Sequence, residues 1–228
     1  MRRSAPLLLL VVLCLTQGCV AISSVQTADT LGRGRLQVGV EPGVAGVVHA
    51  PPGLSAAPVA DVAVRYGVAD RVDVGGRFGQ SGLELALKAM LTPRAWPLIV
   101  SLAPSASGQL RVSSTLEVTG QILNLALPLL LGLRLGPHQL VLGPRLHLLA
   151  SLPADPNEAA TRRFAAGGSL GVALRVSRAV TVLPELAVLA PLSPQPLLAT
   201  PDTFSQLSGG VLVQARLAFL LGPGAEPP

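Results

Sequence analysis

The residues best suited to proton transfer near neutral pH are three histidines, His49, His138 and His147, and they are scattered. None stands at a spacing such as HxxxH, which places two imidazoles on one helical face for a metal. His49 has Ser55 and Asp61 close behind it, so an acyl-transfer set can be drawn, but a histidine among ordinary loop residues explains the same letters. His147 reads as a hydrogen-bonding group inside the fold and His138 as a turn residue. Two glycine-rich stretches, "GRGRLQVG" and "AAGGSLG", lead into strand-like sequence, whereas a phosphate cradle opens a helix. The expectation is a protein with no metal, no cofactor and no enzymatic activity.

The two cysteines sit at the amino terminus. Arg2 and Arg3 precede the apolar run "PLLLLVVLCL", followed by "TQGC", residues 16–19. A basic start, a short apolar run and a small residue before a cut have the form of a secretory signal, and the run is too short to span a bilayer as a helix. The stretch "LTQGCV" resembles the lipobox of bacterial lipoproteins, in which the cysteine is acylated and becomes the first mature residue. Gly18 and Cys19 match that pattern, while the leucine stands one place earlier than usual. The resemblance implies lipidation of Cys19, and Val20 in place of an aspartate implies delivery to the outer membrane. Cys14 leaves with the signal, so a mature chain with acylated Cys19 has no free thiol for a disulfide or metal site.

Loss of Arg2 and Arg3 takes the 17 basic residues to 15 against 12 acidic ones, a net charge of +3. These charges are dispersed singly, and no basic run is interleaved with stacking aromatics, so no nucleic-acid partner is expected. Half the residues are apolar, which excludes a disordered chain.

The elements that would position any site read as strands. Apolar segments of about ten residues with period-two alternation are separated by glycine and proline, and ten strands are predicted: 34–48, 58–68, 71–79, 83–91, 97–104, 119–134, 138–150, 167–177, 180–190 and 208–221. The stretch "SGLELALKAML" competes as a helix through a Ser81/Glu84 capping spacing and a Glu84/Lys88 pair. The connections alternate. "GVADR", "TPRAWP", "LGPH" and "VSRAV" are brief; "HAPPGLSAAP", "APSASGQLRVSSTLEVTG", "SLPADPNEAATRRFAA" and "PLSPQPLLATPDTFSQ" are long, and only "GQSG" breaks the rule. Short turns at one end and long loops at the other are the pattern of a membrane barrel.

One residue set along these strands carries the charge: Asp61, Arg65, Asp73, Arg77, Glu84, Lys88, Arg145, His147, Arg175, Glu185 and Arg216, with Arg35, Gln37, Glu41, Asn124, Arg134, Gln139 and Gln214 in phase. The opposite set is almost wholly Leu and Val. In a soluble sheet the charges would face water; in a membrane barrel they would face the lumen, since an arginine facing lipid at the midplane costs about 2 to 4 kcal/mol. The reading is an all-β, antiparallel up-and-down barrel of about ten strands (8 to 12), with Asp61, Asp73, Glu84 and Glu185 beside Arg65, Arg77, Lys88 and Arg175. Lumens of about eight strands are just filled by side chains, so ten leave a thin passage. The hairpin pattern resembles the small outer-membrane barrel proteins of Gram-negative bacteria.

The domain plan is signal 1–18, linker 19–33, barrel 34–222 and a disordered tail 223–228. The function expected is structural or surface contact at the outer membrane, anchored through Cys19, with membrane lipids as partners and a protein partner unspecified. The competing readings are a tethered soluble lipocalin-like or β-sandwich protein binding an apolar ligand, and a lipid-modifying barrel enzyme. Few aromatics, one Trp, one Tyr and four Phe, stand against the membrane reading, because such barrels carry aromatic girdles.

Overall fold

The computed structural model describes residues 22–49, 53–112, 117–155, 157–192 and 210–222. Its strands are β1 (Leu36–His49), β2 (Gly53–Ala69), β3 (Val72–Gly79), β4 (Gly82–Met90), β5 (Leu98–Leu102), β6 (Ser105–Val112), β7 (Val118–Leu135), β8 (His138–Leu142), β9 (Arg145–Pro153), β10 (Thr161–Arg175), β11 (Val180–Pro191) and β12 (Val211–Leu221). β5 and β6 both pair with β4 and β7, and β8 and β9 both pair with β7 and β10. Each couple is one strand interrupted at a proline, Pro104 or Pro144, which has no N–H to give the ladder. Ten antiparallel strands therefore close on themselves through β12 with β1.

Several boundaries differ from the sequence reading. Most of the predicted first loop is strand, with β1 and β2 pairing from His49↔Gly53 downward. Part of the predicted third loop is β6, and β10 begins at Thr161, so the strands extend where loops were expected. Sequence criteria stop at small and polar residues, while cross-strand pairing carries them on. The segment with helical spacing is β4, paired with β3 from Val72↔Ala89 to Gly79↔Gly82. There its Leu83, Leu85 and Leu87 share one face and Glu84 and Lys88 the other.

The exterior is apolar. Val40, Val62, Val64, Leu85, Leu125, Leu146, Leu170 and Leu186 are all exposed, while the alternate residues are buried or half-buried. The described aromatic residues, Tyr66, Phe78, Trp96, Phe164 and Phe219, are all exposed too. Tyr66, Trp96 and Phe219 lie at the short-turn end, whereas Phe78 stands one place before the end of β3 at the opposite level. A sparse aromatic supply is thus spent at the two edges where girdles belong.

β3 and β4, of 8 and 9 residues, are close to the length of a tilted strand crossing a bilayer. The flanking strands rise beyond them. Outward-facing Gln121 and Arg162, the first polar residues on that surface, occur in this extension, where β7 and β10 pair with the upper part of β9. Above the β3–β4 hairpin no strand pairing among the described residues joins β2 to β6, which leaves a gap in the wall. Its edges are blunted: Gln80 Oε1 accepts from Ala60 N at 2.9 Å, Gln109 Nε2 donates to Gln80 O at 3.2 Å, and Pro58 offers no N–H on the open side of β2.

Candidate functional site: a lumen filled by the amino-terminal segment

Strand alternation sends the charged set inward, and burial removes it from water. Arg65, Asp73, Arg77, Lys88, Arg145, His147, Glu185 and Arg216 are buried, as are Gln37, Glu41, Asp61, Asn124, Gln139 and Gln214. Glu84 is half-buried, with its carboxylate 2.5 Å from Arg77 Nη2. Arg175 shares the inward phase with Ala173 but stands half-buried at the last residue of β10, apart from Glu185, beside which it was expected. Glu185 instead meets Arg145, at 3.5 Å.

Besides the Arg145–Glu185 pair, two ion-pair groups join described wall residues to one another. Arg216 Nη1 lies 2.5 Å from Asp61 and 3.3 Å from Glu41, and its Nη2 donates to Ser81 Oγ at 2.7 Å; Arg77 joins the same Glu41 at 3.4 Å. The second couples Lys88 to Asp73 at 3.1 Å. Arg65, expected beside an acid, donates instead to Val25 O at 2.6 Å and to Gln37 at 3.4 Å. His147 Nδ1 is 2.9 Å from Asn124 Oδ1, and Asn124 Nδ2 reaches Ser107 Oγ at 3.3 Å. The amide separates histidine from serine, so this row lacks the nucleophile–base contact of an acyl-transfer site. The Asp61 of the triad drawn around His49 is held by Arg216 and Ser81. His49 and Ser55 side chains, like Cys19, lie outside the described residues, and no group of three metal-ligating side chains occurs among those described.

The feature absent from the sequence reading is residues 22–31. Assigned to a linker, they run inside the barrel, with Ile22, Ser23, Val25, Ala28, Thr30 and Leu31 all buried. Wall side chains hold the segment by its backbone. Gln214 Oε1 accepts from Ile22 N and Ser23 N, Glu185 from Ser24 N, Gln139 from Ala28 N and Asp73 from Leu31 N. In return Arg145 donates to Ile22 O, Arg77 to Ser23 O, Lys88 to Thr27 O and Asp29 O, and Ser101 to Ala28 O. Asp29 adds an ion pair with Arg134 at 2.5 Å. An extended chain presents donors and acceptors on both sides that a dry lumen must satisfy, and the inward charges supply the partners.

The thin passage expected of ten strands is thus occupied. A cavity of about 30 Å³ remains beside Ser24, Gln26, Arg65 and Lys88, room for a water or two. Two wall glycines admit the segment. A Cβ on Gly67 would fall 1.9 Å from Gly32 O, and one on Gly132 would fall 2.6 Å from Ala28 Cβ. Gly67→Ala is therefore expected to cost about 1 to 3 kcal/mol and to loosen residues 30–35, seen as faster proteolysis of that segment in detergent-solubilised protein.

No family model matches the sequence, and no curated protein does. Among solved structures the barrel is similar to Neisserial surface protein A, with 10% identity over 82% of this chain and 96% of that one and a TM-score of 0.41. It is also similar to Ail, the attachment invasion locus protein of Yersinia pestis, with 9% identity, coverage of 83% and 98% and a TM-score of 0.38. A third is the translocator domain of the autotransporter NalP from Neisseria meningitidis, with 10% identity, coverage of 85% and 90% and a TM-score of 0.44. The likeness is one of architecture.

Proposed function

We propose that this chain is an outer-membrane β-barrel protein that acts through structure and surface contact, anchored additionally by an acyl group on Cys19. The observation that carries this reading is the inverted distribution of side chains among the described residues: leucine and valine outside, buried polar and charged wall residues inside. A water-soluble barrel would gain nothing from that arrangement, because burying charge is expensive and exposing leucine forfeits the hydrophobic gain. In a bilayer the same leucines are cheap, and every strand edge within the membrane zone is paired.

A lumen packed with the protein's own chain supports neither bulk transport nor the storage of an apolar ligand, so the lipocalin-like alternative loses its binding site. The strands that rise past the β3–β4 hairpin, with their connecting loops, are the contact elements for an outside partner. A catalytic role finds no support in the His147–Asn124–Ser107 row. The test is membrane retention without the lipid. Cys19→Ala protein is expected to stay in the pellet after an alkaline carbonate wash of envelopes, while labelled palmitate enters the wild type alone. Release of the variant into the wash would return the soluble, tethered alternative.

A further inference from the structure

We propose that the lumen carries this chain's own amino-terminal end to the long-loop mouth, so that whatever precedes Ile22 in the mature protein is displayed on the outer face. The inference rests on the outer-membrane reading and adds a direction to it. The direction follows from the order of wall partners. Thr30 donates to Asp70 O in the β2–β3 turn and Ala28 meets Gln139 just after the β7–β8 turn, both at the short-turn end. Val25 then meets Arg65 and Ser23 meets Arg77, farther up β2 and β3. Ile22 meets Gln214, which lies closer to the loop-side end of β12, at Val211, than to Leu221. The backbone therefore climbs the barrel as the residue number falls.

The described residues leave it no second lane back through the lumen. The residual cavity holds a water or two, whereas a returning strand would need a second lane through the same charges. Three residues reach about 10 Å when extended, so Cys19 cannot return to the short-turn mouth while residues 22–31 are seated. Above Ile22 the inward wall becomes mainly apolar: Val47, Ile122, Leu149, Leu189 and Leu212 cluster with it, and half-buried Arg163 stands opposite Leu149. The gap over the β3–β4 hairpin opens near this height, since Arg77, the partner of Ser23, lies two places before the end of β3. An acyl group on Cys19 accordingly enters the leaflet on the loop side, not the periplasmic one.

The grip is also largely blind to sequence. Between Ile22 and Ala28 the wall's hydrogen bonds run to backbone N–H and C=O groups, apart from one from Arg145 Nη2 to Ser24 Oγ at 3.4 Å, and Ser23 Oγ is buried with no protein partner. The wall thus fits an extended polypeptide as a class, with residues 22–28 as its resident example.

Epitope tags in the full-length chain test the direction, one inserted between Val20 and Ala21, one beside Asn157 in the β9–β10 loop and one beside Arg71 in the β2–β3 turn. On intact cells the first two should bind antibody and the third should bind only after the envelope is opened. A Val20 tag that behaves like the Arg71 tag would overturn the proposal. Asn157 and Arg71 tags that behave alike would instead defeat the outer-membrane reading. Should the Val20 insertion prevent assembly, a Ser23→Cys/Gln214→Cys protein treated with a short bifunctional thiol reagent decides the matter: folded barrel that cross-links supports the seated segment, and folded barrel that does not overturns it.

Discussion

Deleting residues 22–33 is expected to turn a closed barrel into a conducting one. The segment supplies the carbonyls that Arg65, Arg77, Lys88 and Arg145 bind and the N–H groups that Asp73, Gln139, Glu185 and Gln214 receive. Without it those groups must be hydrated, and water that hydrates them forms a continuous path between the two mouths. The wall then presents Arg65, Arg77, Lys88, Arg134, Arg145 and Arg216 against Glu41, Asp61, Asp73, Glu84 and Glu185, a small excess of positive charge that favours anions. In planar bilayers the intact protein should show no steps and the deletion protein discrete ones with anion preference. A folded deletion protein that stays silent would mean that the wall side chains collapse and seal the lumen unaided.

Arg216→Met should be the most destabilising single change. Its guanidinium neutralises Asp61 and Glu41 and donates to Ser81, and it is buried on β12 at the pairing with Gly43 and Glu185. Methionine fills most of the volume but leaves Asp61 with only the Ser81 donors and makes Glu41 depend on Arg77 alone. Removing one partner from a buried pair costs about 3 to 5 kcal/mol, because the remaining charge is stranded. Urea unfolding in detergent micelles, followed by the heat-dependent gel shift of folded barrels, should show that loss. The double variant Arg216→Met/Asp61→Asn should recover part of it; full stability in the single variant would show that water reaches the cluster and solvates Asp61.

The wall was legible in the sequence because a barrel strand reports its two faces at period two. Val62, Val64 and Tyr66 against Asp61 and Arg65 give the lipid and lumen sides without any long-range information. Turn parity supplied the direction of each strand. The strand ends were less visible: Ser105 to Val112 carries small polar residues with no pattern of its own and becomes β6 only through its pairing with β4 and β7. The amino-terminal segment was illegible for a different reason. "ISSVQTADT" has no strand alternation and a single charge, Asp29, because its backbone makes most of the contacts. One signal did point to it: the inward set that holds Arg65 and Arg145 has more cations than acids, and that surplus implied acceptors of another kind. The expected partnership of Arg175 with Glu185 failed because cross-strand register sets Arg175 opposite Thr181 at the mouth.

The central claim is that the aliphatic face meets hydrocarbon. Tryptophan placed singly at Val64, Leu85, Leu125 or Leu146 in a Trp96→Phe protein, reconstituted in bilayers with brominated acyl chains, measures that contact by fluorescence quenching. All four positions are predicted to be strongly quenched and tryptophan at Asn157 to remain bright. Four outward positions as bright as Asn157 would place that face in water or protein and contradict the membrane barrel.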